Sequence, residues 1–206
     1  MNVLITGSRG YVGNRLCQII NKSYKNKIEI IGLDSNLYQF KKKLEKKIII
    51  KDVRDIQLSD LKNIDSIIHL ASLSNDPLGS LNESLTKDIN HKATTKLAKF
   101  AKKMSVKRFI FVSTQSVYGI SNYKKKTIKE NDKNIRPITQ YAKSKLKAEK
   151  DILKLADNRF CVTILRPSTV HGPSENFRSD IVLNNLSAAA FTKKKIIINT
   201  NGKPYR

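Results

Sequence analysis

Three glycines set three residues apart, Gly7, Gly10 and Gly13, follow directly on the short apolar run Asn2-Val-Leu-Ile-Thr6. Behind them Val12, Leu16, Ile19 and Ile20 recur at helical spacing. Strand, glycine turn and helix together are the setting in which a backbone can cradle a dinucleotide pyrophosphate. Glycine permits the tight turn and the close approach, and the free N–H groups and dipole of a helix start attract negative charge. A glycine triplet alone is equally an ordinary flexible turn. Here a second apolar run, Ile28-Glu-Ile-Ile-Gly-Leu-Asp34, ends in a carboxylate about 20 residues on, where such folds hold the adenosine ribose hydroxyls. The two features together predict a nucleotide site.

The rest of the chain repeats the alternation. A Lys-rich helix is expected over residues 37–47, a third strand at Ile48–Ile50 closed by Asp52-Val-Arg-Asp55, and a short helix at 58–61. A fourth strand spans 66–72, with small residues at its end that allow close approach of a ligand. His69, inside that strand, reads as a satisfied core histidine. Residues 80–104 carry one helical period from Leu81 to Met104. Asn90 lies within it, facing solvent or held for a partner. A strand at 109–113, a polar loop at 119–136 and a helix from Thr139 (its N-cap) to about Asp157 follow. A strand at 160–165, a helix at 179–191 and a strand at 195–199 complete the order. Strands alternating with helices argue for an α/β fold with a doubly wound parallel sheet.

Composition narrows the class. With 206 residues, 39% hydrophobic and 28% charged, the chain has material for a core and the balance of a soluble globular protein. No apolar run is long enough to span a bilayer, and the chain starts directly in a predicted strand rather than a signal peptide. Cys17 and Cys161 have apolar neighbours and are expected to be buried free thiols, which fits a reducing compartment, the cytoplasm. No metal is expected. The net charge of +23 suits a nucleic-acid or anionic-membrane binder. Its lysines, however, come in scattered runs near element ends and loops, with few interleaved aromatics. Solvated faces are the simpler reading, so neither partner is expected.

Two polar groups carry chemistry. Tyr141 and Lys145, at i and i+4, share one helix face. A free tyrosine has a pKa of about 10, and bringing it near 7 takes roughly 4 kcal/mol. A nearby ammonium, a helix N-terminus and an oxidised nicotinamide can supply that. A solvent-facing pair on a lysine-rich helix would look the same, and Lys143, Lys147 and Lys150 read as surface. The second group, Ser113-Thr114-Gln-Ser116, ends the fifth strand, where hydroxyls point into the ligand crevice of a parallel sheet; a plain Ser/Thr turn is the alternative.

Taken with Asp52-Val53, His-Leu-Ala-Ser (69–72), Asn90, Ser-Thr-x-Ser-Val-Tyr-Gly (113–119), Tyr-x-x-x-Lys (141–145) and Leu-Arg-Pro (165–167), the sequence resembles the extended short-chain dehydrogenase/reductases. It is most similar to their NAD-dependent sugar-nucleotide epimerase/dehydratase branch, in particular the UDP-glucose 4-epimerase-like subgroup. The resemblance implies a Rossmann domain over residues 1–175 and the beginning of a substrate lobe over 176–206. It assigns NAD to Gly7, Arg9, Gly10, Tyr11, Val12, Gly13 and Asp34, with Asp52 and Val53 flanking the adenine. Leu70, Ala71, Ser72, Asn90 and Ser113 complete the cofactor set. Thr114, Tyr141 and Lys145 match the catalytic residues, the last two also contacting cofactor. Ser116, Thr169 and Arg178 would meet a sugar nucleotide.

The likeness has departures. Dehydratases of the family follow the catalytic threonine with an acid; Gln115 and Ser116 stand there, which disfavours dehydration. Thr169 sits where many 4-epimerases carry an asparagine. Members of the family also run well beyond 206 residues, so the chain is expected to be a fragment that binds NAD without appreciable turnover, the full-length protein being able to form a homodimer. A sugar-nucleotide epimerase is the expected function, with a reductase or dehydrogenase of the same family, or a non-catalytic NAD sensor, as alternatives. Asp34 should favour NAD by repelling a 2′-phosphate, whereas Arg9 pulls the other way.

Overall fold

The computed structural model describes residues 1–25, 27–37, 44–74, 76–119, 128–132 and 135–198, with the backbone alone at 76–78. Six parallel strands, β1 (Asn2–Thr6), β2 (Glu29–Asp34), β3 (Lys47–Ile50), β4 (Ser66–His69), β5 (Arg108–Val112) and β6 (Cys161–Leu165), form one sheet. Their order is β3-β2-β1-β4-β5-β6. The chain therefore winds outward from β1 in one direction, returns to β4, and winds outward in the other. This is the doubly wound Rossmann sheet, and its crevice opens between the carboxyl ends of β1 and β4.

Side-chain alternation divides the core. Val3 and Ile5 pack with Cys17 and Ile20 of α1 (Tyr11–Ser23), while Leu4 between them faces the larger cluster. That cluster takes Leu97, Ala98 and Ala101 from α4 (Thr94–Lys103), Ala148 and Ile152 from α5 (Gln140–Leu153), and Phe109 and Phe111 from β5. In α1 the buried face is Gly13, Asn14, Cys17 and Ile20, with Val12 and Ile19 exposed. The expected stripe is thus rotated, because Gly13 brings that side of the helix against the turn. Among the described residues no helix is long and apolar enough to cross a membrane.

Several expectations are corrected. Of the predicted helix at 37–47, residues 38–43 lie outside the described ones. Residues 44–46 are not helical, and Lys47 already opens β3; the Lys46 N–H joins the sheet edge at the Ile30 carbonyl, 2.9 Å away. The helix expected over 80–104 is broken into α2 (Asp76–Leu81), α3 (Glu83–Lys87), a π-helical stretch at Asp88–Ala93, and α4. Asn82 starts α3 by capping the Leu85 N–H, so Leu81 stays outside the packed face. The run predicted as a strand at 195–199 pairs over 195–198 with no strand among the described residues, and Ile196, Ile197 and Ile198 are exposed; residue 199 lies outside the described ones. β-Branched residues need a partner edge, and among the described residues this run meets none. Cys17 is buried, but Cys161 is exposed at the start of β6, the sheet's outer strand. The helix α6 (Val182–Lys193) leaves Val182, Leu183 and Phe191 exposed.

His69 is the core residue the sequence suggests, completely buried at the end of β4. The Thr94 hydroxyl donates to the Asn90 carbonyl at 3.0 Å, so its oxygen accepts from His69 Nε2, 2.8 Å away. The Thr6 hydroxyl then donates to Nδ1 at 2.6 Å, and its lone pairs accept the N–H groups of Leu70 and Ala71, each at 3.2 Å. Those last two bonds turn the chain out of the sheet, so the strand expected to reach residue 72 stops at 69. Burial, and then the Lys145 charge, depress the His69 pKa to about 3. The unfolded chain binds this proton below its ordinary value of about 6.5, so stability must fall as pH drops from there towards 3. We expect urea unfolding at pH 4.5 to show about 2 to 3 kcal/mol less stability from this residue than at pH 6.5, at 1.36 kcal/mol per unit. A His69→Gln variant with the same pH slope as the wild type would contradict this.

Candidate functional site

The loop after β1 lies at the sheet's switch point. Gly7 takes φ +68° and donates its N–H to the Leu33 carbonyl at 2.7 Å. A Cβ on Gly13 would stand 2.0 Å from the Gly7 carbonyl oxygen, so α1 can begin this close to the turn only without a side chain there. Gly10, the N-cap of α1, supplies no capping side chain, and the first turn carries no acidic residue. The first turn is therefore left without a side-chain cap or an acid of its own, which suits an anionic ligand such as a pyrophosphate. Gly13→Ala should cost about 1 to 3 kcal/mol by overpacking; equilibrium unfolding unchanged within error would show that the turn can yield.

Around this cradle, Asp34 accepts the Arg9 N–H at 3.0 Å and the Asn36 N–H at 2.9 Å. Asp52 is engaged by Arg54, whose Nη2 lies 2.8 Å away and whose hydrogen bonds hold the carboxyl below the usual carboxylate range. Val53 is buried in the larger core cluster. Leu70, Ala71 and Ser72 are half-buried along the exit of β4. Asn90 is fully buried and grips Leu73 at both ends, accepting its N–H at 2.9 Å and donating to its carbonyl at 3.0 Å. Of the two roles open to it in the sequence, it fills the internal one, and the π-helical stretch places it there.

The second half of the site comes from β5 and α5. Thr139 caps α5 by accepting the Ala142 N–H at 3.2 Å, as expected, and puts half-buried Tyr141 in the first turn. One turn on, Lys145 is buried, donates to the Val112 carbonyl at 2.9 Å, and lies over the Phe111 ring at 4.7 Å. Burial lowers its pKa to about 7, against the opposing pull of Glu149. Lys143, Lys147 and Lys150 are exposed. Thr114 is buried, its hydroxyl accepting the Ser116 N–H at 3.1 Å; Ser116 is half-buried. Ser113 donates to Glu149, which also receives the Arg166 Nη2 at 2.6 Å.

A third piece closes over the glycine turn. The Tyr11 hydroxyl donates to the Gly172 carbonyl at 2.7 Å and accepts from Asn184 Nδ2 at 3.1 Å. Ser174 donates to the Tyr11 carbonyl at 2.8 Å, and Asn176 to that of Arg9 at 3.3 Å. Val12 is exposed beside this clasp. Arg178 reaches Ser74 at 3.0 Å and Asp180 at 2.9 Å, while Thr169 is half-buried after β6. Asp34 ends β2, and the glycine turn, Asp52, residues 70–72, Thr114 and Thr169 follow the carboxyl ends of their strands, so the parallel sheet gathers them along one edge. Sequence reasoning missed Glu149, an acid among the lysines of α5, and Asn184, in a helix without a clear apolar stripe. The Leu-Arg-Pro motif was the available signal for Glu149, since Arg166 is its partner.

The profile of the NAD dependent epimerase/dehydratase family matches residues 3–206. The UDP-glucose 4-epimerase of Vibrio cholerae is 34% identical over 188 residues, covering 86% of this chain and 55% of its own. The human dTDP-D-glucose 4,6-dehydratase is 30% identical over 188 residues, covering 84% and 51%. Among solved structures, a UDP-glucuronic acid 4-epimerase from Bacillus cereus in complex with NAD superposes with a TM-score of 0.81 at 25% identity, over 98% of this chain and 66% of that one. The chain spans about half the length of the curated relatives it matches.

Proposed function

The chain belongs to the NAD-dependent epimerase/dehydratase family, and from that premise we propose that it forms the cofactor-binding part of a sugar-nucleotide epimerase. Residues 1–175 would bind NAD and 176–206 begin the substrate lobe. One arrangement carries the reading: Thr114 follows the carboxyl end of β5, Tyr141 and Lys145 lie on α5, and the residues after Thr114 are Gln115 and Ser116, with no acid to expel water. Both epimerases and dehydratases are among the relatives, and this absence favours the former.

The residues fit the cofactor. The first-turn N–H groups of α1, at Tyr11 to Gly13, would hold the pyrophosphate where the glycine turn lets it approach, and Asp34 would accept from the adenosine ribose. Asp52 borders the adenine, and Leu70 to Ser72 line the path towards β5. The chemistry NAD supplies when bound is reversible acceptance of a hydride. Tyr141, as phenolate, removes a proton from the sugar hydroxyl and later returns it. Lys145, as ammonium, binds the nicotinamide ribose and favours the phenolate. Its anchorage on Val112 and its burial keep it in that position. Thr114 donates to the reacting oxygen, and Ser116, Thr169 and Arg178 contact the sugar nucleotide. The full-length protein, a cytoplasmic homodimer in this reading, should interconvert 4-epimers of a UDP- or dTDP-hexose with no net NADH. NADH appearing in proportion to substrate, or a dehydrated product, would remove the epimerase assignment.

A further inference from the structure

Beneath the glycine turn lies a buried carboxylate that this mechanism does not use. Glu45 has a side chain only 4% exposed; Oε1 accepts the Ser8 hydroxyl at 2.8 Å and stands 3.7 Å from Arg9 Nε. The pocket for it is built in. A Cβ on Gly32 of β2 would fall 2.6 Å from Ser8 Oγ and 2.8 Å from Glu45 Cγ, so glycine there makes the room. A buried carboxylate is costly unless paired, and among the described residues its one cationic partner is Arg9.

Arg9 is itself constrained. Its backbone N–H binds Asp34, its Nη1 donates to Asn36 Oδ1, and its buried Nε has no hydrogen-bond partner, facing Glu45 instead. In this fold a guanidinium beside the ribose carboxylate is what accommodates a 2′-phosphate. With Asp34 and Arg9 alone the local charges would cancel. Among these three side chains Glu45 tips the sum towards negative and supplies Arg9 with a carboxylate already in place.

We propose that Glu45 is a specificity-determining residue: by holding Arg9 and adding its own charge under the turn, it makes the adenosine end of this site reject a 2′-phosphate. The proposal rests on the dinucleotide reading above. The test is direct titration of the chain with NAD and NADP. Glu45→Gln, which keeps the Ser8 contact, should raise the NADP-to-NAD affinity ratio about tenfold, the scale of one charged hydrogen bond. Adding Arg9→Met should erase that gain. An unmoved ratio in Glu45→Gln, or a gain that persists without Arg9, overturns the proposal. Should Glu45→Gln not fold, the wild type decides: it must bind 5′-ADP at least about tenfold tighter than 2′,5′-ADP, and equal affinities overturn the idea. Wild-type protein that binds neither NAD nor NADP removes the dinucleotide reading and this proposal together, whereas NAD binding with an unmoved ratio removes this proposal alone.

Discussion

Replacing Tyr141 by Phe in the full-length protein should lower turnover of the sugar nucleotide by roughly 10²- to 10⁴-fold, the usual contribution of a positioned general base. In barrier terms that is about 3 to 5 kcal/mol. The phenyl ring conserves nearly all the volume, and Tyr141 occupies the first turn of a helix capped by Thr139, so the backbone should not respond. What disappears is the hydroxyl one helical turn from Lys145. That lysine is buried with its amino group on the Val112 carbonyl; burial lowers its pKa to about 7, and the negative charge of a neighbouring phenolate favours its ammonium form. A cation so placed, with little water to screen it, acts strongly on a neighbouring phenolate. NAD titration of the same variant separates loss of the base from loss of the cofactor. Turnover within about tenfold of wild type would end the base assignment.

Glu149→Ala should destabilise the fold by about 3 to 5 kcal/mol, the cost of breaking a buried ion pair from one side. Three segments meet on this carboxylate. Ser113 donates to it from the end of β5, Arg166 reaches it from the exit of β6 with Nε at 3.1 Å and Nη2 at 2.6 Å, and α5 carries it. Arg166 is held above the usual guanidinium range first by that hydrogen bond, and its cation lies over the Tyr118 ring at 5.0 Å. Without Glu149, Arg166 keeps its charge in a site mostly closed to water, with a side chain 16% exposed. For a domain of this size the loss corresponds to a melting shift on the order of 10 °C. Glu149→Gln should fall between, since an amide still accepts from Ser113 but carries no charge. A shift of under about 2 °C for Glu149→Ala would mean that the pair contributes little net stability.

The alternation of apolar runs with helical periods, the glycine turn, the carboxylate at Asp34 and the Thr139 cap are local patterns, and local patterns were enough to place β1, β2, α1 and α5 in a parallel α/β sheet. The Tyr141–Lys145 spacing was legible for the same reason, because one helical turn fixes which residues share a face. Elsewhere a local pattern misled. Ile196 to Ile198 have the composition of a strand, but a strand is made by the edge it pairs with, and among the described residues they meet none. The period from Leu81 to Met104 promised one helix, yet Asn90 grips Leu73 across 17 residues and the helix opens into a π turn to let it. Whether Glu149 and Glu45 are solvated charges or buried ones was decided in the same way, by Arg166 and Ser113 in one case and by Gly32, Ser8 and Arg9 in the other. A carboxylate's desolvation and its compensation come from groups that are near in space and remote in the chain. Short-range pattern was therefore enough for the parallel α/β sheet, whereas which polar residues are buried and paired around its crevice depends on contacts between segments far apart in the chain.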